Sequence, residues 1–228
     1  STDYAEVGRV SVVGTSENYF AGKMDDVRSF TRVLTQSEIA HLTSSRGIEG
    51  GPSTSATVIA STSRGSASNS VTTDAIDTTG ADMICVNVAT YNKLGATVTD
   101  SEGNTWSALT VDINNTQRNG IFYCMNPTTS STHTFTYSEL SSFPSIAVMA
   151  FSGVAAFDSE ATSTQSGAGT TILAGQVTPP TDDCLLIACG SFEGGTISSV
   201  DSGFVLQEVN PYLAYNYQGN MAAYLNQS

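Results

Sequence analysis

The chain has 228 residues and a formal net charge of -13, from 8 Lys and Arg against 21 Asp and Glu, and only 13% of its residues are charged. That length can bury a substantial core without metals or bridges, and that charge repels phosphate backbones and anionic lipid, excluding nucleic acid and a polybasic membrane site. Ser and Thr supply roughly a quarter of the chain, well above ordinary globular usage, so the surface is hydroxyl-rich and sparsely anionic. This composition fits an extracellular, cell-surface or virion protein. No apolar run reaches bilayer length and no signal peptide is seen, so membrane insertion is not expected. Because it begins at Ser1 rather than Met, the chain is expected to be a processed product or an excerpt.

In chain order, Arg9 to Gly14 reads as a strand, Thr15 to Asn18 as a polar turn, and Met24 to Phe30 as a second strand. Thr35-Gln36-Ser37-Glu38 then forms a capping box, with Leu34 as staple and Ile39 and Leu42 as the buried stripe of a short helix ending near Gly47. The run Tyr19-Phe20-Ala21-Gly22-Lys23-Met24-Asp25-Asp26-Val27-Arg28-Ser29-Phe30-Thr31-Arg32-Val33-Leu34, followed by Ser37-Glu38-Ile39, resembles the closing segment of laminin-G-like domains of the concanavalin A-like superfamily. The resemblance implies that residues 1–48 are the C-terminal part of such a β-sandwich. It also implies that Asp25, Asp26 and Arg28 are structural and that the family's calcium and sugar loops lie upstream.

Residues 49–55, rich in Gly, Pro and Ser, read as a linker. From residue 56 to 228 strand signals recur with turns between them, an all-β pattern. Thr57 to Ala60 opens the set and a Ser/Asn-rich stretch follows to Ser70. Met83 to Thr90 reads as a buried strand. Gly95 to Trp106 reads as a hairpin whose turn, Asp100 to Asn104, uses the Asp100 carboxylate to cap backbone amides. Gly120 to Met125, Thr132 to Tyr137, Ile146 to Phe151, Cys184 to Ser191 and Phe204 to Glu208 complete the predicted strands. Ser145 to Val154 is apolar on both alternating faces: Ile146, Val148 and Ala150 point one way, and Ala147, Met149 and Phe151 the other. It is the expected central strand, covered on both sides.

VTDSEGNTWSAL, IFYCMNP, HTFTY and IAVMAFSGVAAFDS together resemble a β-sandwich module repeated in bacterial secreted and phage virion proteins. The resemblance implies adhesion, carbohydrate association or particle architecture, no catalytic residues, and a further closing strand beyond MAAYLNQS. The expected fold is thus all-β, an antiparallel β-sandwich of jelly-roll type preceded by a partial laminin-G-like segment with one short helix.

The chemistry-bearing residues are sparse. Cys184 and Cys189, five positions apart in one strand, project from opposite faces about 16 Å apart and cannot pair with each other. Cys85 and Cys124 are mid-strand, where a bridge to a neighbouring strand is open to either; all four are read as buried thiols. With no Cys-x-x-Cys pattern, and with His41 and His133 isolated, no metal site and no cofactor are expected. Asp158 and Glu160 alternate as glycosidase carboxylates do but follow a Ser-Gly breaker, and His133 reads as a surface strand residue, so no catalytic residue is assigned. Trp106 is read as core. Sugar modules stack aromatic rings on pyranose C–H groups and read hydroxyls with amides. Tyr212, Tyr215 and Tyr217, interleaved with Asn216 and Gln218, are the expected carbohydrate-binding residues. The function read from the sequence is non-catalytic carbohydrate binding or adhesion, and the alternative is a structural protein of a phage virion or surface assembly with no sugar affinity. The expected partner is a cell-surface or extracellular polysaccharide, or else other subunits of a particle, with a homo-oligomer among the options.

Overall fold

A computed structural model describes residues 9–11, 17–19, 55–140, 142–164, 175–179, 184–214 and 217–227. The chain divides into two compact units, Ser1–Gly51 and Pro52–Ser228. In the first, β1 (Arg9–Ser11) and β2 (Glu17–Tyr19) pair antiparallel, with Val10 opposite Asn18. Glu17 and Asn18, predicted to lie in a turn, are strand residues: backbone pairing in a two-stranded ribbon needs no apolar side chain. The predicted strand Met24 to Phe30, with Asp25, Asp26 and Arg28, and the capped helix with His41, lie outside the described residues.

The second unit is all-β, with no helix among the described residues. In chain order its strands are β3 (Thr57–Gly65), β4 (Ser70–Thr72), β5 (Met83–Tyr91), β6 (Thr99–Asp100), β7 (Ser107–Ala108) and β8 (Asp112–Asn114). There follow β9 (Gln117–Met125), β10 (Phe135–Ser138), β11 (Ser145–Ser152), β12 (Leu185–Phe192), β13 (Val205–Asn210) and β14 (Gly219–Asn226). All pairings are antiparallel. One sheet has the order β3-β11-β5-β9-β7, with β8 also on β9; a second is β4-β10-β6 and a third is β12-β14-β13.

Strand β11, predicted to be central, lies inside its sheet between β3 and β5, and its alternation is read by two different cores. Ile146, Val148 and Ala150 join Ile84, Val86 and Val88 of β5 in a cluster with Val71, Phe135 and Tyr137 of the β4-β10-β6 sheet. Ala147, Met149 and Phe151 join Met83 and Cys85 in a second cluster with Ala222, and Leu185, Ile187 and Tyr224 pack against it from the β12-β14-β13 sheet. Each strand of this pair presents successive side chains to opposite faces, so a continuous apolar run is what two covered faces require. Asn87 is the exception on β5. It is 1% exposed, and its amide donates to the carbonyls of Gly190 at 3.3 Å and Met221 at 3.1 Å, fastening the third sheet to the first.

Strand β14 has no counterpart among the predicted strands, yet it is the middle strand of its sheet. Gly219 opens it opposite Phe192, and a Cβ there would stand 2.3 Å from that ring. The small residues Ala222 and Ala223 are fully covered because sheet and core approach closely on both sides.

The predicted hairpin from Gly95 to Trp106 is not one. Its first arm, β6, pairs with β10, and its second, β7, pairs with β9, so the turn carries the chain from one sheet to another. The local turn chemistry is as read: Asp100 Oδ1 accepts the backbone N–H of Glu102 at 2.8 Å and of Asn104 at 3.3 Å, and Gly103 takes φ of 75°. Asp100 Oδ2 accepts the Trp106 indole N–H at 2.7 Å, and Trp106 meets Phe135 edge to face at 6.0 Å. Trp106 therefore packs against the core, as its position after the turn suggested.

His133, read as a surface residue, is 0% exposed. Its ring stacks on Phe135 at 4.3 Å, Nδ1 lies 2.9 Å from the Thr78 hydroxyl, and Nε2 lies 3.2 Å from Asp100 Oδ1. The reason is parity: His133, Phe135 and Tyr137 share one face of the strand, and that face is the core.

Two carboxylates with lowered pKa follow from this packing, the shielded Asp100 and the half-buried Glu139. Burial pushes the Asp100 carboxyl up, but the Trp106 indole, the backbone N–H groups of Glu102 and Asn104, and His133 outweigh it and hold it below the ordinary 3.8. Burial likewise raises Glu139, yet the Tyr137 hydroxyl and the Gly95 and Ala96 amides bring it below 4.5. Carboxyls whose folded pKa is lowered stabilise fully above the unfolded pKa, and that stability is lost as pH falls through the folded one. Thermal unfolding midpoints measured across pH should therefore be level from neutrality to about pH 5 and fall below about pH 4. Asp100→Asn should flatten the fall.

Candidate functional site

The turn from β3 to β4 also crosses between sheets, because β3 is an edge strand of the first and β4 of the second. At that crossing lies an open cleft of about 430 Å³ lined by Arg64, Ser66, Ala67, Ser70 and Thr72 over the backbone of Gly65. Its hydroxyls are held in place locally. Ser66 and Ser68 hydroxyls lie 2.8 Å apart, the Ser68 hydroxyl donates to the Ser70 carbonyl at 2.9 Å, and the Thr72 and Thr136 hydroxyls are 2.9 Å apart. The Ser66 N–H is fixed by the Pro144 carbonyl at 2.9 Å. Short Ser side chains bond to nearby backbone in this way, which orders a turn that composition alone marks as loose. Arg64, half exposed, donates to Asp74 at 2.9 Å; an exposed pair of this kind contributes about 0–1 kcal/mol and is readily exchanged for a ligand.

Tyr217 packs on the other side of β3 from Arg64: Arg64 pairs with Ile146 of the first core, whereas Gly65 pairs with Ser145, on the side of Ala147 and Met149. A Cβ on Gly65 would stand 2.3 Å from the Tyr217 ring, so the phenol lies on the glycine backbone. Leu213 and Tyr217 exchange backbone hydrogen bonds at 3.1 and 3.3 Å, closing the tight loop that presents the ring. Of the other residues read as sugar-binding, Tyr212 is half-buried against the Phe192 and Met221 cluster, its N–H on the Gly195 carbonyl at 3.0 Å. Gln218 is 5% exposed and accepts from Gln117 at 3.4 Å. Tyr215 and Asn216 lie outside the described residues. None of the residues predicted to bind sugar lines the cleft, and Tyr217 touches only the far side of Gly65. The Ser-rich composition of residues 61–70 was the visible signal for the cleft itself.

The residues weighed for catalysis are committed elsewhere. Both Glu160 oxygens are taken by Thr110, through its N–H at 2.9 Å and its hydroxyl at 2.7 Å, and Asp158 accepts the Ser159 hydroxyl at 2.8 Å. Thr78, His133 and Asp100 stand in the order of a nucleophile, base and orienting acid, but the first two are 0% exposed and the Asp100 side chain is equally shielded. The Thr78 hydroxyl is engaged by the Ser130 backbone on both sides. A substrate has no approach to that hydroxyl, and the chain of bonds serves packing. Among the described residues no group of three or more His, Cys, Asp or Glu is placed to hold a metal ion. No helix among them is long and apolar enough to cross a membrane.

One exposed aromatic pair had no counterpart in the sequence reading: Phe157, 42% exposed, stacks on Tyr123 at 4.9 Å, each ring giving up one face to the other. No family model matches the chain, and no curated protein and no solved structure matches it.

Proposed function

We propose that this chain is a non-catalytic carbohydrate-binding or adhesion module of an extracellular, cell-surface or virion protein. In this reading the second unit is an antiparallel β-sandwich of jelly-roll type, following a partial laminin-G-like segment. The observation that carries the reading is the open cleft at Arg64 to Thr72, lined by hydroxyls and a guanidinium. A pyranose offers a rim of hydroxyls, and this cleft offers three hydroxyls and one exchangeable guanidinium to bond them. An open, shallow shape suits one segment of a polysaccharide rather than an enclosed small molecule.

The test is a glycan array probed with the chain and with Tyr217→Ala and Arg64→Ala, with light scattering on the same samples. Binding that falls about tenfold or more in Arg64→Ala and less in Tyr217→Ala, with Trp106 emission unchanged, is the expected result, a loss of ~1.4 kcal/mol. A structural role in a particle or surface assembly is the second reading, favoured by the exposed apolar side chains Leu140, Ile113, Leu213 and Val205, which are 70%, 56%, 48% and 47% exposed. A defined oligomer with no glycan bound would carry that reading instead.

A further inference from the structure

Two of the four thiols face each other across the gap between sheets. Cys85 of β5 is 3% exposed, and Cys189 of β12 packs against the same apolar cluster. Strands β5 and β12 are packed neighbours, and interaction with Cys85 together with burial pushes the Cys189 thiol up. An independent feature sets their separation: Asn87, two residues from Cys85 on the same face of β5, bonds the carbonyl of Gly190, the neighbour of Cys189. Beside Cys189, in the same sheet, stands Ala222 of β14, a small neighbour in the shared core. Cys124 sits on the other face of the first sheet's neighbouring strand, opposite Ile84, and Cys184 precedes β12. Neither competes for this contact.

We propose that Cys85 and Cys189 are an oxidation site, joined by a disulfide when the chain folds in the presence of a small-molecule disulfide such as oxidised glutathione. One protein thiolate attacks a glutathione sulfur and expels one glutathione thiolate. The second protein thiol loses its proton, attacks the mixed disulfide and expels nothing but the second glutathione. Two protein S–H groups become one S–S bond, and one oxidised glutathione becomes two reduced. The bond would staple the third sheet to the first across a loop of about 100 residues, a length at which chain closure constrains the unfolded state strongly. Both thiols are shielded from solvent in the folded protein, so the exchange belongs to folding or to opening of the β12-β14-β13 sheet, and the folded, reduced protein reacts slowly.

The test refolds the full chain from denaturant through oxidised glutathione, then denatures it and alkylates without reductant. The expected result is two alkylated cysteines, Cys124 and Cys184, a Cys85–Cys189 linked peptide, and a thermal midpoint raised by about 5 to 10 °C that reductant reverses. The double variant Cys124→Ala/Cys184→Ala keeps both the linked peptide and the shift, whereas Cys189→Ala loses both. Four alkylated cysteines, a different pairing, or glutathione retained on Cys85 or Cys189 alone overturns the proposal.

Discussion

Asp100→Ala is expected to destabilise the second unit by about 3–5 kcal/mol, the largest effect expected of a polar substitution among the described residues. The carboxylate is shielded from solvent and satisfies the Trp106 indole, the Glu102 and Asn104 amides and the Asn104 side chain, with His133 Nε2 3.2 Å away. Truncation leaves several of these donors with nothing to donate to, and each such group costs about 1–3 kcal/mol. Local relaxation and entering water recover part of the sum, which is why the expected value is below the total. Two readouts check it. Thermal unfolding should shift down by about 10 °C or more. Trp106, the only tryptophan, should report the lost indole partner directly in its emission. Asp74→Ala, which removes an exposed ion pair, is the control and should cost under about 1 kcal/mol. Equal effects of the two variants would mean that the turn does not fasten the sheets it joins.

Phe151→Ala is expected to cost about 3–5 kcal/mol through the second core. Phe151 is 0% exposed at the end of β11 and meets Tyr224 of β14 edge to face at 5.7 Å. Its removal leaves a cavity where the first and third sheets touch, and neighbouring Met149 and Met83 fill it only in part. Denaturant unfolding should give a lower midpoint with an unchanged slope, because the surface exposed on unfolding stays the same. Phe157→Ala, six residues on and 42% exposed, should cost under about 1 kcal/mol. The contrast between the two phenylalanines measures burial directly. Because Phe151 is on the same face as Cys85, this variant should also speed the reaction of the buried thiols with alkylating agents in the folded protein.

The central strand was legible because its pattern is both local and redundant. Every residue from Ile146 to Phe151 is apolar, so either register demands two covered faces, and the two core clusters divide it by parity. The capping role of Asp100 was legible for the same reason, since its partners are two and four residues away. What the turn connects was not legible. An Asp-Ser-Glu-Gly-Asn turn has the same local chemistry whether its arms pair with each other or with β10 and β9, and only distant strands decide that. His133 could have been placed: it shares parity with Phe135 and Tyr137, and an imidazole on a core face needs only a hydroxyl and a carboxylate to satisfy it. Strand β14 gives a weak signal because Gly219, Asn220, Ala222 and Ala223 carry little β propensity, and its strand state comes from pairing on both edges. The cleft was invisible for another reason. Its lining comes from the end of β3 and from β4, strands of two different sheets, and only the packed fold sets those sheets side by side.

The most direct test of sugar binding at this cleft is amide chemical-shift mapping of the full chain, titrated with the oligosaccharide that the array selects. Saturable shifts confined to Arg64, Gly65, Ser66, Ser70 and Thr72 are expected, and they should vanish in Arg64→Ala. Saturable shifts clustered elsewhere, or none at all, would contradict the assignment of this cleft.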